Sequence, residues 1–278
     1  MKALFLTSFA LTAFAFNSIL CRMALGTGEA DAAGFTFVRL SSGALTLWLL
    51  LALSGKTKNV RDLGNWASAF FLFAYALAFS FAYLGLTAAT GALILFGAVQ
   101  LSIFGISVLR GDSPSAAEWS GLVVATAGLV YLVLPGLSAP PFVNALLMML
   151  AGVAWGIYTL RGRSSADAFS DTAGNFIRSA PMAALATLPV IFYVDVSTWG
   201  LVLAVISGAV ASGLGYVTWY AALRYHTPAR AAVLQLAVPL ITAIGGIILL
   251  SESADARLLL AGILILGGIG ATIFGRKS

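Results

Sequence analysis

The chain has 278 residues, of which 60% are hydrophobic and only 9% are charged, and its mean hydropathy is +1.00. Soluble domains carry about 25% charged residues, so this composition excludes a water-soluble globular protein and makes lipid the main solvent. One cysteine excludes an intrachain disulfide, one histidine excludes a metal site with two imidazoles, and the lack of a GxxxxGK(S/T) loop excludes ATP hydrolysis by that route. We predict neither a bound metal nor a cofactor.

Ten apolar runs are long enough to cross a bilayer, whose hydrocarbon core of about 30 Å needs about 20 residues of helix. They cover residues 3–25, 33–54, 66–86, 88–109, 118–135, 142–161, 172–194, 198–222, 228–250 and 257–275. The first run resembles a signal peptide, but it is long enough to span, and Leu20 stands where a lipoprotein cleavage site needs a small residue before Cys21. We therefore expect a retained first helix, and one clear hydrophilic linker at residues 54–65.

The positions of the basic residues predict how the chain is oriented. If the N-terminus is cytoplasmic, eleven Lys and Arg residues fall on the cytoplasmic side and only Arg257 falls on the outer side, while Arg22, Arg39 and Arg178 lie inside spans or near their ends. The eleven are Lys2, Lys56, Lys58, Arg61, Arg110, Arg161, Arg163, Arg224, Arg230, Arg276 and Lys277. Because short cytoplasmic loops are enriched in Lys and Arg, we predict a multi-pass membrane protein with both termini in the cytoplasm. The same asymmetry explains the pI near 9.6 without a nucleic-acid partner.

The sequence contains a weak internal repeat. Phe37-Val38-Arg39 recurs as Phe176-Ile177-Arg178, 139 positions later, and 139 is half the chain length. The same offset relates Arg22 to Arg161, Phe16 to Trp155, Ala98-Val99 to Ala237-Val238 and Leu101 to Leu240. Residues 1–138 and 139–278 would each hold five helices, and an odd number makes the second copy start on the opposite face of the membrane. Two inverted repeats around a central cavity are typical of secondary transporters.

The Phe-x-Arg elements of the second and seventh spans, with the ten spans and the repeat, resemble the drug/metabolite transporter superfamily, in particular its EamA-type branch. Leu250-Ser251-Glu252 resembles that family's Leu-x-Glu turn before the last helix, and Gly111-Asp112 occupies the same place in the first half. The aromatic-rich spans are similar to YddG-type exporters of aromatic amino acids. The resemblance implies an inner-membrane carrier with a cavity lined by helices 1–4 and 6–9, and with helices 5 and 10 at the periphery.

Two arginines are the charged candidates for substrate binding. Arg39 and Arg178 lie within spans, where ionisable residues are costly and usually functional. In a water-filled cavity, a guanidinium pairs well with a substrate carboxylate, but each arginine could equally brace its own repeat by binding backbone carbonyls. No Asp or Glu lies in the middle of a span, which disfavours a carboxylate-based proton antiport and favours facilitated export.

Three amide side chains are also candidates for the cavity: Asn17, Gln100 and Gln235. Facing lipid they would be unsatisfied, so we expect them to face protein or water. Such groups bind the ammonium or carboxylate of a substrate, or they hold helices together. The pattern leaves both interpretations open.

Aromatic residues form the third group of candidates. Tyr75 and Phe79 belong to a stripe with a four-residue spacing in the third span, and Trp155 and Tyr158 lie in the sixth. Their rings could stack on an aromatic or apolar substrate, and the alternatives are packing, lipid contact or an interfacial belt.

Gates and hinges can be predicted from position. Tyr83 and Tyr220 match in the repeat with a two-residue slip, and the inversion places them at opposite membrane faces, which suits gates. Pro181, Pro189 and Pro239 remove helix hydrogen bonds and are candidate hinges.

The leading hypothesis is a secondary transporter that exports amino acids, including aromatic or apolar ones, and related small metabolites by alternating access. Its partners would be the lipid bilayer and a small-molecule substrate, and its oligomeric state is left open. One alternative is an exporter of multiple drugs or lipophilic cations on the same fold. A remote alternative is an intramembrane enzyme, which the single histidine and the lack of a carboxylate pair disfavour, so we predict that the chain is not an enzyme.

Overall fold

A computed structural model describes residues 1–55, 63–111, 114–134, 136, 139–162, 165–226 and 234–274. These residues are almost entirely helical and hold no β-sheet. The helices are α1 (Lys2–Gly26), α2 (Ala32–Leu53), α3 (Trp66–Tyr83), α4 (Ala88–Leu109), α5 (Ala116–Val133), α6 (Phe142–Gly162), α7 (Ala168–Thr187), α8 (Thr198–Leu223), α9 (Ala237–Leu250) and α10 (Ala256–Phe274).

The predicted all-α membrane class is confirmed. Helices α1 to α8 are long and apolar enough to cross a membrane, if α7 is taken together with the turn that follows it. Within the described residues, α9 and α10 are shorter apolar helices. Most of the linker at residues 54–65 and the beginning of the predicted run 228–250 lie outside the described residues.

Polar side chains fix where most of the helices begin. The side chain of the residue before the helix accepts a hydrogen bond from the free backbone N–H groups of the first turn. These residues are Asp31 before α2, Asn65 before α3, Thr87 before α4, Ser115 before α5, Asp167 before α7 and Ser197 before α8. The cap at Asp167 explains why α7 begins four residues earlier than the apolar pattern predicts.

Two helices are irregular. α7 continues beyond Thr187 as the 3₁₀ turn Leu188–Tyr193, with Pro189 at its start. α8 changes from α-helix to π-helix over Ser207–Leu214 and returns to α-helix at Gly215. A π segment bonds each N–H to the carbonyl five residues earlier and often lies at a functional site. The sequence pattern did not predict this segment.

The main pairings between helices stay the same when the two halves of the chain are exchanged. α1 packs on α8 and α9, as α6 packs on α3 and α4, while α2 packs on α7, α4 on α9 and α5 on α10. Replacing every helix by the one five positions along the chain reproduces this set of pairings. This is the pattern expected for two repeats of five helices.

The distribution of polarity is that of a protein in lipid. Large apolar side chains such as Trp48, Phe70 and Leu150 are exposed on the outer surface of the bundle. The interior holds polar groups, among them Asn17, which is 4% exposed, and Arg39, which is 1% exposed. Exposed apolar groups face lipid without cost, whereas these buried polar groups need partners within the protein.

Candidate functional site

A small cavity lies between α1, α3, α4, α6 and α8. Its lining residues are Phe14, Asn17, Ser18, Tyr75, Phe79, Leu95, Phe96, Trp155 and Tyr216. The space among them has room for roughly one water molecule. A cavity of this volume would have to widen to admit a metabolite.

Aromatic rings form most of the cavity wall. Trp155 is at the centre of the group, with ring centroids 4.9 Å from Tyr75, 4.7 Å from Tyr216 and 6.3 Å from Phe14. Phe79 follows Tyr75 on the same face of α3, at a centroid distance of 5.3 Å. Rings arranged in this way offer both faces and edges to a planar apolar group.

Arg39 of α2 lies behind this wall. Its Nε donates to Ser212 Oγ at 3.2 Å, and its Nη2 donates to the Tyr75 hydroxyl at 3.2 Å. The guanidinium carbon is 5.3 Å from the ring centre of Tyr75 and 5.0 Å from that of Phe79. Arg39 Nη1 has no hydrogen-bond partner among the described residues. A buried positive charge thus lies one side chain away from the cavity.

Asn17 of α1 connects this arginine to the π segment of α8. Asn17 Nδ2 donates to the Tyr75 hydroxyl at 3.2 Å, and Asn17 Oδ1 accepts from Ser207 Oγ at 2.8 Å, with Ser212 Oγ at 3.5 Å. Ser207 and Ser212 are five residues apart, a spacing that a π-helix places on one face. The irregularity in α8 therefore directs two hydroxyls to the same amide.

Close packing of α2 against α8 makes this arrangement possible. A Cβ atom on Gly208 would come within 2.1 Å of the Arg39 carbonyl oxygen, and one on Gly43 would come within 3.0 Å of the Gly208 carbonyl oxygen. Only glycine fits at Gly208, because backbone atoms cannot move aside as a flexible side chain can.

Arg178, the repeat partner of Arg39, is in a different environment. Its Nη1 donates to the carbonyl of Leu63 and, at 3.1 Å, to that of Gly174, and its guanidinium carbon is 5.7 Å from the ring centre of Trp66. These contacts tie α7 to the start of α3. Of the two predicted arginines, the structure therefore brings only Arg39 to the cavity.

The other predicted substrate-binding residues also divide into those that line the cavity and those that do not. Asn17, Tyr75, Phe79 and Trp155 line the cavity. Tyr158 packs on Trp155 at a centroid distance of 5.4 Å and is buried without lining the cavity. Gln100, one turn after Phe96, and Gln235, just before α9, are half-buried and are not among the lining residues.

The predicted hinge prolines lie at different kinds of position. α7 passes through Pro181 as a continuous α-helix. Pro189 lies where α7 gives way to the 3₁₀ turn, and Pro239 lies in the first turn of α9, where a missing N–H costs nothing. Of the three, only Pro189 marks an irregularity inside a span.

A group of contacts joins the helices at the side where α1 and α3 end and α4 begins, which we call the distal side. Arg22 Nε is 3.2 Å from Glu252 Oε1, and Arg22 Nη1 donates to the Tyr83 carbonyl at 3.1 Å. Both oxygens of Glu252 accept from the backbone N–H of Ala88, at 3.0 and 2.9 Å. The buried Tyr83 hydroxyl donates to the Ala88 carbonyl at 3.3 Å. Tyr83, a predicted gate, takes part in these contacts.

A second group of contacts lies at the side where α1 begins, which we call the N-terminal side. Arg161, at the end of α6, donates to Ser68 Oγ at 3.0 Å and to Asn65 Oδ1 at 3.1 Å. The second predicted gate, Tyr220, is half-buried, and its hydroxyl lies against Gly162 at the end of α6, where a Cβ would come within 2.4 Å. The two gate candidates therefore lie at opposite sides, as the repeat predicts.

Several residues that line the cavity, or bond to residues that line it, were not predicted from the sequence as site residues. Phe14 was missed because the repeat pointed to Phe16, which is 41% exposed on the other face of α1. Ser207 and Ser212 were missed because a helix of regular period does not place them together. Tyr216 lies three and four residues before Trp219 and Tyr220, and this spacing was the signal that could have indicated an aromatic face in α8.

Known proteins show the same architecture. The model of the EamA-like transporter family matches residues 143–274, which cover α6 to α10. The uncharacterized protein PA1977 of Pseudomonas aeruginosa is 46% identical over 275 residues, which is 99% of this chain and 96% of its own. One protein of known crystal structure, 19% identical, covers 96% of this chain and 94% of its own with a TM-score of 0.66, a likeness that concerns the fold alone. Over residues 143–274 the chain is therefore similar to the EamA-like transporter family, whose members are membrane transporters of ten helices.

Proposed function

We propose that this protein is a secondary transporter that exports amino acids, including aromatic or apolar ones, and related small metabolites across the inner membrane. The observation that carries the proposal is the cavity, where six aromatic rings, the amide of Asn17 and the nearby guanidinium of Arg39 come together inside a transporter fold. The rings would hold an apolar side chain, and the polar groups would hold the charged end of the substrate.

Alternating access would expose the cavity to one side at a time. The Lys and Arg pattern supports a cytoplasmic N-terminal side, which makes the distal side the outer one. The contacts of Arg22, Tyr83 and Glu252 would then form the outer closure, with Tyr220 at the cytoplasmic side. The exchangeable helix pairings support two inverted repeats, at residues 1–138 and 139–278, that rock against each other.

The distribution of acidic residues supports facilitated export rather than carboxylate-coupled proton antiport. Asp31, Glu118, Asp167 and Asp171 lie at helix N-termini, and none of the residues that line the cavity is acidic. A proton-exchanging carboxylate would have to lie where the substrate binds. The gradient of the substrate itself would then drive export.

Counterflow in proteoliposomes tests this function. Purified protein would be reconstituted and loaded with a panel of unlabelled amino acids, and entry of the labelled compounds would be compared with that into empty vesicles. We expect aromatic amino acids or related metabolites to enter faster, and Trp155→Ala to reduce the rate at least several-fold. Trp119→Ala, a change of the same size on the exposed face of α5, is the matched control. If no compound enters faster than into empty vesicles, the proposal is wrong.

An exporter of lipophilic cations is the second candidate, because a cage of aromatic rings also attracts cations. The uncompensated charge of Arg39 behind the cage opposes this alternative. Efflux of ethidium without movement of any amino acid or metabolite would establish it instead.

A further inference from the structure

We propose that the cavity selects substrates of net negative charge, namely aromatic carboxylates, over zwitterionic amino acids and over cations. This inference rests on the proposed transport function and narrows its substrate class. It follows from the groups around the cavity, where positive charge and hydrogen-bond donors are not matched by negative charge and acceptors.

The first observation is that the charge of Arg39 has no acidic counterpart nearby. The eight acidic residues in the described part of the chain all lie in connections, at N-caps or in first turns: Glu29, Asp31, Glu118, Asp167, Asp171, Asp195, Glu252 and Asp255. The remaining two, Asp62 and Asp112, lie in hydrophilic connections in the sequence and outside the described residues. The nearest partners of the guanidinium are therefore two hydroxyls and two aromatic rings.

A buried guanidinium without an anion is costly in a medium of low dielectric constant. Hydroxyl acceptors and ring faces offset only part of the lost hydration, and Arg39 Nη1 has no acceptor among the described residues. A carboxylate that entered the cavity would supply the missing negative charge at a distance of one side chain from the guanidinium. The binding energy would thus come from satisfying an arginine that the empty protein leaves incompletely satisfied.

The hydroxyls at the cavity are donors that point to the same conclusion. The Tyr75 hydroxyl accepts from both Arg39 and Asn17, so its own proton remains available to donate. The Tyr216 hydroxyl is buried and has no hydrogen-bond partner in the described residues. At least one phenolic O–H group therefore offers a donor to an oxyanion in the cavity, and the guanidinium lies one side chain behind it.

Acceptors for an ammonium group are scarce by comparison. The clearest is Asn17 Oδ1, which already accepts from Ser207 Oγ at 2.8 Å. An ammonium placed among the rings of Tyr75 and Phe79 would also share them with the guanidinium of Arg39, and like charges in a low dielectric repel strongly. For a zwitterion, the unfavourable placement of the ammonium would cancel much of the binding free energy that the carboxylate contributes.

Three ligands of equal size test this selectivity. 3-Phenyllactate, phenylalanine and phenylalaninol share a phenyl ring and a three-carbon chain, and at pH 7 they carry net charges of about −1, 0 and +1. Binding to the detergent-purified full chain would be measured by calorimetry and by thermal stabilisation. We expect 3-phenyllactate to bind roughly tenfold more tightly than phenylalanine, and phenylalaninol to bind most weakly.

Variants show whether Arg39 and Tyr216 cause the selectivity. Arg39→Gln should bring the three affinities to within about twofold of one another, because it removes the charge and keeps an amide donor. Tyr216→Phe removes one hydroxyl, and it should weaken 3-phenyllactate several-fold while leaving phenylalaninol unchanged. Arg257→Gln and Tyr131→Phe, the same changes at a contact between α10 and α5, should leave all three affinities at the wild-type values.

The outcomes separate this inference from the proposed function. Equal or tighter binding of phenylalanine, no binding of any of the three, or an Arg39→Gln protein that keeps the full preference would each overturn the charge selectivity. Counterflow of other amino acids in the same preparation would then leave the transport function intact. If Arg39→Gln does not fold, the wild-type order and the Tyr216→Phe protein still decide the question.

Discussion

Arg22 and Glu252 form an ion pair, with 3.2 Å between Arg22 Nε and Glu252 Oε1, that joins α1 to the connection between α9 and α10. Glycines make room for both partners: a Cβ on Gly26 would come within 2.6 Å of the guanidinium, and one on Gly246 would come within 2.7 Å of Glu252 Oε2. Because the same carboxylate also accepts from the start of α4, this ion pair holds together elements of both halves at the distal side.

Removing the charge of Glu252 should favour opening of the distal side. Glu252→Gln keeps an oxygen for the Ala88 N–H but loses the ion pair, and a loss of about 1 kcal/mol corresponds to roughly fivefold in the ratio of open to closed forms. The measurement is the rate at which an impermeant maleimide labels Ser18→Cys from the distal side, in a Cys21→Ala background. We expect that rate to rise about fivefold.

The control for this experiment is Glu118→Gln. It makes the same change at the first turn of α5, where the carboxylate takes part in a capping box away from the ion pair. Labelling should stay at the parent rate in this control. An unchanged rate in Glu252→Gln as well would show that the ion pair does not hold the distal side closed.

Packing of α2 on the π segment of α8 should be the part of the site most sensitive to added volume. Gly208→Ala would place a methyl group 2.1 Å from the Arg39 carbonyl oxygen, so the helices must separate, and overpacking of this kind typically costs about 1–3 kcal/mol. We expect a lower melting temperature in detergent and weaker ligand binding. Gly267→Ala is the control, because nothing lies within 4 Å of a Cβ at that position in α10. Equal melting temperatures for the two variants would contradict the close approach.

The sequence was sufficient to predict the spans, because crossing hydrocarbon imposes a length and an apolar composition that can be read directly. It was also sufficient for Tyr75 and Phe79, since their four-residue spacing defines one face of a regular helix. The π segment and the divergence of Arg39 from Arg178 could not be predicted. The first depends on how α2 packs on α8, and the second on the loop carbonyl of Leu63, which only the folded chain brings to Arg178.

Phe14 and Phe16 make a matched pair that tests the face of α1. Phe14 packs against Trp155, Tyr216 and Trp219, whereas Phe16 is exposed, and two positions turn a helix by about 200°. Phe14→Ala should reduce transport of an aromatic substrate at least several-fold, and Phe16→Ala should leave it within about twofold of wild type. Counterflow at equal protein density in the vesicles is the measurement. If Phe16→Ala reduced transport more than Phe14→Ala, the face of α1 that carries Phe16 would be the one at the cavity.

Asn17→Asp should reverse the charge preference that we infer. Asn17 and Arg39 both donate to the Tyr75 hydroxyl, so a carboxylate at position 17 would face the guanidinium at short range and supply the anion that the wild-type cavity lacks. The substrate would then no longer need to carry that charge. We expect 3-phenyllactate to bind at least tenfold more weakly, and phenylalanine or phenylalaninol to bind as tightly as in wild type or more tightly. Asn17→Ala is the control for loss of the amide, because it should weaken the binding of all three ligands to a similar degree. If Asn17→Asp instead leaves 3-phenyllactate the tightest of the three, the charge of Arg39 does not govern selection in this cavity.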